Sequence, residues 1–347
     1  MKGTMKGVFK ENAAPGAIYT DLPIPEIGDN DVLVRVRATA ICGTDLHIYP
    51  WTPWAQARVT PPMVFGHEFS GDIVEKGSGV TEFAIGDRIA GETHIPCNKC
   101  HQCLTDNRHI CEHMKIIGVH VPGCFSEYIS VPKDCLWKLS DSVDYNTGAM
   151  LEPMGVAVHG LTETPVLGRS VVIMGCGPIG LMAVNAAKIM GAKQIIATDV
   201  VPAKLSLALE LGADAALNTT EENQSEKILS LTNNIGADTI IDYTGNVDAI
   251  RGGFSWLRLG GTCVLVGLPN REITLDLTSS VIYKEAKIFG VTGRRMYQTW
   301  VKCEEILATG NFRMDKIVGG IYKLEEYEKA FDALKNGAPG KMLLIPA

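Results

Sequence analysis

The stretch Ser170-Val-Val-Ile-Met-Gly-Cys-Gly-Pro-Ile-Gly-Leu181 decides how this chain is read. Four apolar residues, Val171 to Met174, run into a glycine turn, and a helical apolar period from Ile179 to Met190 follows. The pattern is a buried strand, a tight turn and a helix. Gly175 allows the turn, Gly177 lets a pyrophosphate approach the backbone, and Gly180 lets helix pack on strand, with Pro178 in the first helical turn. Free N–H groups at the helix start then face the phosphates. A second strand, Gln194 to Thr198, ends against Asp199, nineteen residues after Gly180. An acid at that point meets adenine-ribose hydroxyls and repels a 2′-phosphate, so the motif favours NAD. Lys204 is the nearby cation able to reach a phosphate.

The same texture continues downstream. Pro202 to Leu211 reads as a helix, Asp238 to Tyr243 as a strand and Val247 to Leu257 as a helix. Gly261 to Gly267 and Ile288 to Val291 read as further strands, and Trp300 to Ala308 and Leu324 to Asn336 as closing helices. Strands alternating with helices of this length form a doubly wound parallel α/β sheet covered on both faces. Residues 1 to about 150 differ, with β-branched runs broken by Gly, Pro and Asp. Val32 to Thr39 alternates with period two, and Phe69 to Val74, Asp87 to Ala90 and Phe125 to Val131 read as short strands. The 347 residues suit two domains.

Charge and composition exclude several classes. With 32 basic against 39 acidic side chains the net charge is −7, and no basic tract appears, so nucleic acid is not an expected partner. The start lacks the apolar core of a leader, and the longest charge-free run carries the glycine turn rather than a membrane span. A cytoplasmic, non-membrane protein is expected.

Four of the ten cysteines, Cys97, Cys100, Cys103 and Cys111, fall within fifteen residues. Their spacing closes a tetrahedral thiolate shell with no open position, which is a structural zinc site. A ferredoxin run would need three residues before its last cysteine and a proline after it, and has neither here. A sparser set is Cys42 in Ile41-Cys-Gly-Thr-Asp-Leu-His-Ile-Tyr49, His67-Glu68 after Gly66, and Glu152 in Leu-Glu-Pro-Met-Gly. One thiolate, one imidazole and one carboxylate hold zinc with a position to spare. Taken singly, Cys42 also reads as a buried filler, His67 as a core histidine and Glu152 as a helix cap. Their placement around glycine turns, beside a nucleotide motif, favours the metal.

The chain resembles the zinc-dependent medium-chain dehydrogenases over essentially its whole length, and among them the L-threonine 3-dehydrogenase branch. Ile41–Tyr49, Trp51-x-x-Trp-Ala-Gln56, Gly66-His-Glu68, Gly91-Glu-Thr-His-Ile95 and Val291-Thr-Gly-Arg294 carry that resemblance. The four-cysteine lobe, the glycine motif and Pro122-Gly-Cys-Phe-Ser-Glu-Tyr128 are shared more widely. The resemblance implies a GroES-like β-rich catalytic domain of residues 1–154 and 296–347, with a zinc lobe at about 93–115, and a Rossmann domain of 155–295.

It also implies roles. Cys42, His67 and Glu152 would ligate a catalytic zinc, with Glu68 as an alternating or fourth ligand and Asp45 orienting His67. Thr44 would touch the substrate hydroxyl, His47 would pass its proton to solvent by way of the nicotinamide ribose, and His94 would position the substrate. Ile179, Asp199, Lys204, Val266-Gly267-Leu268, Val291 and Thr292 fall at cofactor positions, and Arg294 would meet the cofactor or a substrate carboxylate. Two zincs per chain, NAD and a homotetramer are implied. The implied reaction is oxidation of L-threonine at its secondary hydroxyl to 2-amino-3-oxobutanoate. Val156 stands where the threonine branch has Asn, which keeps a polyol such as a sugar alcohol or butanediol as the second reading. A non-catalytic nucleotide binder would not need Cys42, Thr44, His47, His67 and Glu152 together.

Overall fold

The structure, a computed structural model, describes residues 2–221 and 224–347. The chain divides into two compact units, one reaching to Glu152 and joined by Val318–Ala347, the other Pro153–Ile317.

In the second unit six parallel strands lie in the order Ala215–Asn218, Gln194–Asp199, Ser170–Met174, Ala237–Asp242, Leu257–Leu265, Lys287–Gly290. The order reverses between Ser170–Met174 and Ala237–Asp242, the point where such a sheet opens a crevice at its carboxyl ends. Val171 to Met174 and Ile195 to Ala197 are wholly buried, which explains why they read as unbroken apolar runs. Gly175 takes φ +93°, open to glycine at little cost, and the Pro178–Ile189 helix starts with Gly177 as its N-cap.

Two parts of this unit depart from the sequence reading. The short, half-buried strand Ala215–Asn218 was not expected, because four residues carry too little periodicity. The Gln298–Ala308 helix, assigned from the resemblance to the catalytic domain, clusters with the nucleotide unit. Just after it, the Arg313 N–H donates to Asn185 Oδ1 at 2.7 Å, on the Pro178–Ile189 helix. The chain therefore rejoins the first unit at Val318 and not near residue 296.

The first unit is built around Asp31–Ala40. That strand pairs antiparallel with Glu68–Lys76, Tyr128–Pro132 and Lys341–Ile345. Val32, Val34, Val36 and Ala38 are buried as the alternation requires. Thr39, which the alternation sets on the opposite face with Arg35 and Arg37, is also buried, and its hydroxyl donates to the Glu68 carbonyl at 2.7 Å. The strand anticipated from Phe125 begins at Tyr128, since Phe125 turns its ring onto Phe65 instead. Among the described residues no helix is long and apolar enough to cross a membrane.

Candidate functional site

Two chain segments meet at one end of the first unit's sheet. Cys42 follows the Asp31–Ala40 strand, and His67 precedes and Glu68 opens its neighbour, with Ala40 opposite Glu68 in register. Ligand atoms of Cys42, His67 and Glu68 all lie within 4.8 Å of one another. His67 and Glu68 are buried, and His67 Nδ1 and Glu68 Oε2 have no hydrogen-bond partner. Buried polar atoms are seldom left so, because each costs its lost hydration. Burial pushes the Cys42 thiol and the Glu68 carboxyl up from their ordinary values, and the Lys341 charge opposes the rise in both. Four acidic side chains, Cys42, Asp45, Glu68 and Glu152, surround one lysine here, so a divalent cation fits both the donor set and the orphaned atoms.

Glu152 lies outside that close group. It sits in the first turn of the Leu151–Thr162 helix, and its charge acts on Cys42, Glu68 and Lys341. Asp45 is wholly buried and accepts the Cys42 N–H at 2.9 Å, while its Oδ1 has no partner. It thus fixes the Cys42 loop, and it interacts electrostatically with His67, the ring that the resemblance has it orient. Thr44 places its hydroxyl 3.8 Å from the Cys42 sulfur. His47, exposed on the one-turn helix Asp45–Ile48, has Nδ1 3.3 Å from Thr52 Oγ1 and its ring 5.7 Å from that of Trp54. His94 is held by wholly buried Glu92, whose Oε1 accepts from the His94 backbone N–H at 2.9 Å and lies 3.2 Å from Nδ1. Neither Glu92 nor Lys341 was given a role from the sequence: Glu92 was read only as part of the Gly91–Ile95 segment, and Lys341 belongs to no local motif.

Cys97, Cys100, Cys103 and Cys111 converge in the same way. The Cys100 sulfur is 3.5 Å from that of Cys103 and 3.8 Å from that of Cys111. Sulfurs at the corners of a zinc tetrahedron would be about 3.8 Å apart at ordinary Zn–S lengths. Backbone N–H groups of Cys97 and His113 donate to the Cys111 sulfur at 3.2 and 3.3 Å. N–H groups of Cys103 and Glu112 bring the Cys100 thiol down to about 6, while burial takes Cys103 up to about 12. One apolar neighbour, Met114, packs with the four cysteines, too little to hold a lobe together without metal.

The second unit opens a cleft of about 1010 Å³ at the carboxyl ends of its strands. Gly175, Gly177, Asp199 and Lys204 line it. Asp199 Oδ2 accepts the Cys176 N–H at 2.7 Å, and Oδ1 accepts those of Val200 and Val201, so its position is set before any ligand arrives. Thr219, Tyr243, Thr244, Asn246 and Trp256 also line the cleft and were missed. Tyr243 and Thr244 follow the Ala237–Asp242 strand, so the strand-end rule alone could have found them. Pro178, Ile179, Gly180, Val266, Gly267, Leu268, Val291, Thr292 and Arg294 are not among its lining. Val266 and Gly267 continue the strand end, both donating to the Asp242 carbonyl, and Val291 donates to that of Leu265. Arg294 is buried with its stem against Gly155.

Residues 28–141 match the alcohol dehydrogenase GroES-like domain, and residues 178–309 match the zinc-binding dehydrogenase domain. The chain is 42% identical to an L-threonine 3-dehydrogenase of Symbiobacterium thermophilum over 347 residues, covering 100% of this chain and 99% of that protein. It is 40% identical to an L-threonine 3-dehydrogenase of Bacillus licheniformis, covering 100% of both. A solved zinc-binding dehydrogenase of Sinorhizobium meliloti, bound to NADP, superposes with a TM-score of 0.90 at 30% identity, over 99% of this chain and 100% of that one.

Proposed function

We infer the reaction from a premise now in hand: the chain belongs to the zinc-dependent medium-chain dehydrogenases. It oxidises the secondary hydroxyl of L-threonine with NAD, giving 2-amino-3-oxobutanoate and NADH. The observation that carries this reading is the meeting of Cys42, His67 and Glu68, two of them with orphaned buried atoms, in a chain that also forms the nucleotide cleft.

Cys42 and His67, with Glu152 or Glu68, hold the catalytic zinc, and the four-cysteine lobe holds a second, structural one. When bound, zinc supplies a Lewis acid that polarises the substrate hydroxyl and lowers its pKa, and NAD supplies the hydride acceptor. Thr44, beside Cys42, takes the hydroxyl proton, and exposed His47 hands it on towards solvent. Glu92 fixes the His94 ring, which faces the substrate carboxylate, and carboxylates near Cys42 suit the substrate ammonium. Asp199 receives the adenine ribose and disfavours a 2′-phosphate. The cofactor is NAD rather than NADP on this account, the nucleotide in the Sinorhizobium relative notwithstanding.

The edge strand Lys287–Gly290 exposes Ile288 and Phe289, which supports a homo-oligomer, with a tetramer as the proposed state. Light scattering that returns a monomer at micromolar concentration would refute it. Ten cysteines, five of them assigned to zinc and none in a disulfide among the described residues, suit a reducing, cytoplasmic compartment.

Initial rates on L-threonine, sorbitol, threitol and 2,3-butanediol at equal pH test the substrate. Threonine is expected to lead by at least tenfold in kcat/KM, about 1.4 kcal/mol of transition-state preference. A polyol ahead of threonine would mean that Val156 marks a polyol pocket. Metal analysis tests the two sites separately: two zincs per chain are expected, and a chelator is expected to remove one together with activity well before the second. One zinc on fully active protein would refute the two-site assignment.

A further inference from the structure

Outside the residues assigned above, one buried charge lies against the metal-binding end of the sheet. Lys341 is the first residue of the final strand, Lys341–Ile345, and the Ile41 N–H donates to the Met342 carbonyl beside it. That register carries Lys341 to the end of the sheet where Cys42 and Glu68 emerge. Its Nζ is 2.6 Å from Glu68 Oε1, with side-chain exposures of 4% and 0%. Among the described residues, Glu68 is its hydrogen-bond acceptor. The other carboxylate oxygen, Oε2, has no partner among the described residues, and a Glu68 carboxylate oxygen belongs to the close group with Cys42 and His67.

We infer that Lys341 is a positioning residue that withholds Glu68 from the metal and so keeps a coordination position open for the substrate hydroxyl. The inference rests on the proposed zinc site. Its physical basis is competition for one carboxylate. Moving Glu68 fully onto a cation would take from the buried ammonium the acceptor it holds at 2.6 Å among the described residues, which is costly. Sharing Oε1 with the ammonium also draws charge from Oε2 and makes it a poorer donor. A four-coordinate zinc holding Cys42, His67, Glu152 and Glu68 would have no vacancy. A neutral residue at 341 removes both restraints, and Glu68 is then drawn to the metal.

The test exchanges the catalytic metal for Co(II), leaves the lobe loaded with zinc, and reads two signals: the cobalt d–d spectrum and the rate of cobalt loss to a chelator. Lys341→Met is expected to slow cobalt loss at least threefold, to change the d–d band as a ligand is gained, and to lower kcat on threonine. Lys341→Arg, which keeps a cation, is expected to restore all three towards wild type. The double variant Lys341→Met, Glu68→Gln is expected to lose cobalt at the wild-type rate, because an amide is a poor ligand. Cobalt loss from Lys341→Met less than threefold slower than wild type overturns the proposal.

Glu68→Gln alone decides the matter should Lys341→Met fail to fold. The withheld carboxylate predicts wild-type cobalt loss within threefold, and faster loss than that shows Glu68 already ligating and overturns the proposal. Wild-type protein that shows no cobalt–thiolate charge-transfer band would overturn the zinc-site reading itself, and this inference with it. A wild-type band with unresponsive variants refutes Lys341 alone.

Discussion

Cys42→Ala is expected to lower kcat/KM on threonine at least ~10³-fold, about 4 kcal/mol of transition-state stabilisation. Cys42 is the single thiolate donor in the group it forms with His67 and Glu68. Without it, an imidazole and carboxylates remain, a set that holds zinc weakly. Protein stability should change far less, because Cys42 is only partly buried and its backbone N–H still reaches Asp45. NADH binding to the nucleotide unit should be unaffected, and the four-cysteine lobe should keep its metal. Zinc content, NADH fluorescence titration and steady-state rates together check this. A Cys42→Ala protein with one zinc, normal NADH affinity and activity within tenfold of wild type would remove Cys42 from the catalytic centre.

The contrast between Cys42 and Lys341 shows which parts of the centre the sequence makes legible. Cys42, His67 and Glu68 are legible because unusual residue types stand beside glycine turns in short, recognisable segments. Lys341 has no such signal. It reaches Glu68, 273 positions away, only because the last strand pairs with Asp31–Ala40 in a particular register. Thr39 has the same history, since alternation sets it on the face of Arg35 and Arg37 but the Glu68 carbonyl gives its hydroxyl a buried partner. In the nucleotide unit the strands were legible almost to the residue where a buried run meets a glycine turn, as at Ser170–Met174. The strand Ala215–Asn218 was not, because a four-residue, half-buried edge has neither a full apolar run nor clean alternation. Glu92 was quoted within Gly91–Ile95 without a role, because an acid in a short segment gives no sign that a histidine two residues on will need it.

The glycine motif makes the sharpest stability prediction, because its glycines serve different ends. A Cβ built on Gly180 falls well inside 3.0 Å of the Gly175 carbonyl oxygen, closer than real Cβ atoms come. The obstacle is backbone, and it is held: the Gly175 N–H donates to the Thr198 carbonyl at 2.7 Å, and Gly175 itself sits at φ +93°. Relief requires the Pro178–Ile189 helix to lift from the sheet, although Leu181, Met182, Ala183 and Val184 beside the site are wholly buried. Gly180→Ala is therefore expected to destabilise the nucleotide unit by about 3–5 kcal/mol, in the range of severe overpacking. Gly177→Ala is the control. Nothing lies within 4 Å of its added Cβ, and at φ −66° the residue is already in a conformation that alanine adopts. Its stability should change by no more than about 1 kcal/mol, the scale of an N-cap exchange. The new methyl would instead occupy the space through which a pyrophosphate nears the backbone, so NADH binding should weaken at least tenfold, about 1.4 kcal/mol. Thermal unfolding and NADH titration of both variants separate the two roles. Gly180→Ala as stable as wild type would show that helix and strand are not in contact at the turn. Gly177→Ala with unchanged NADH affinity would show that the nucleotide does not lie across Gly177.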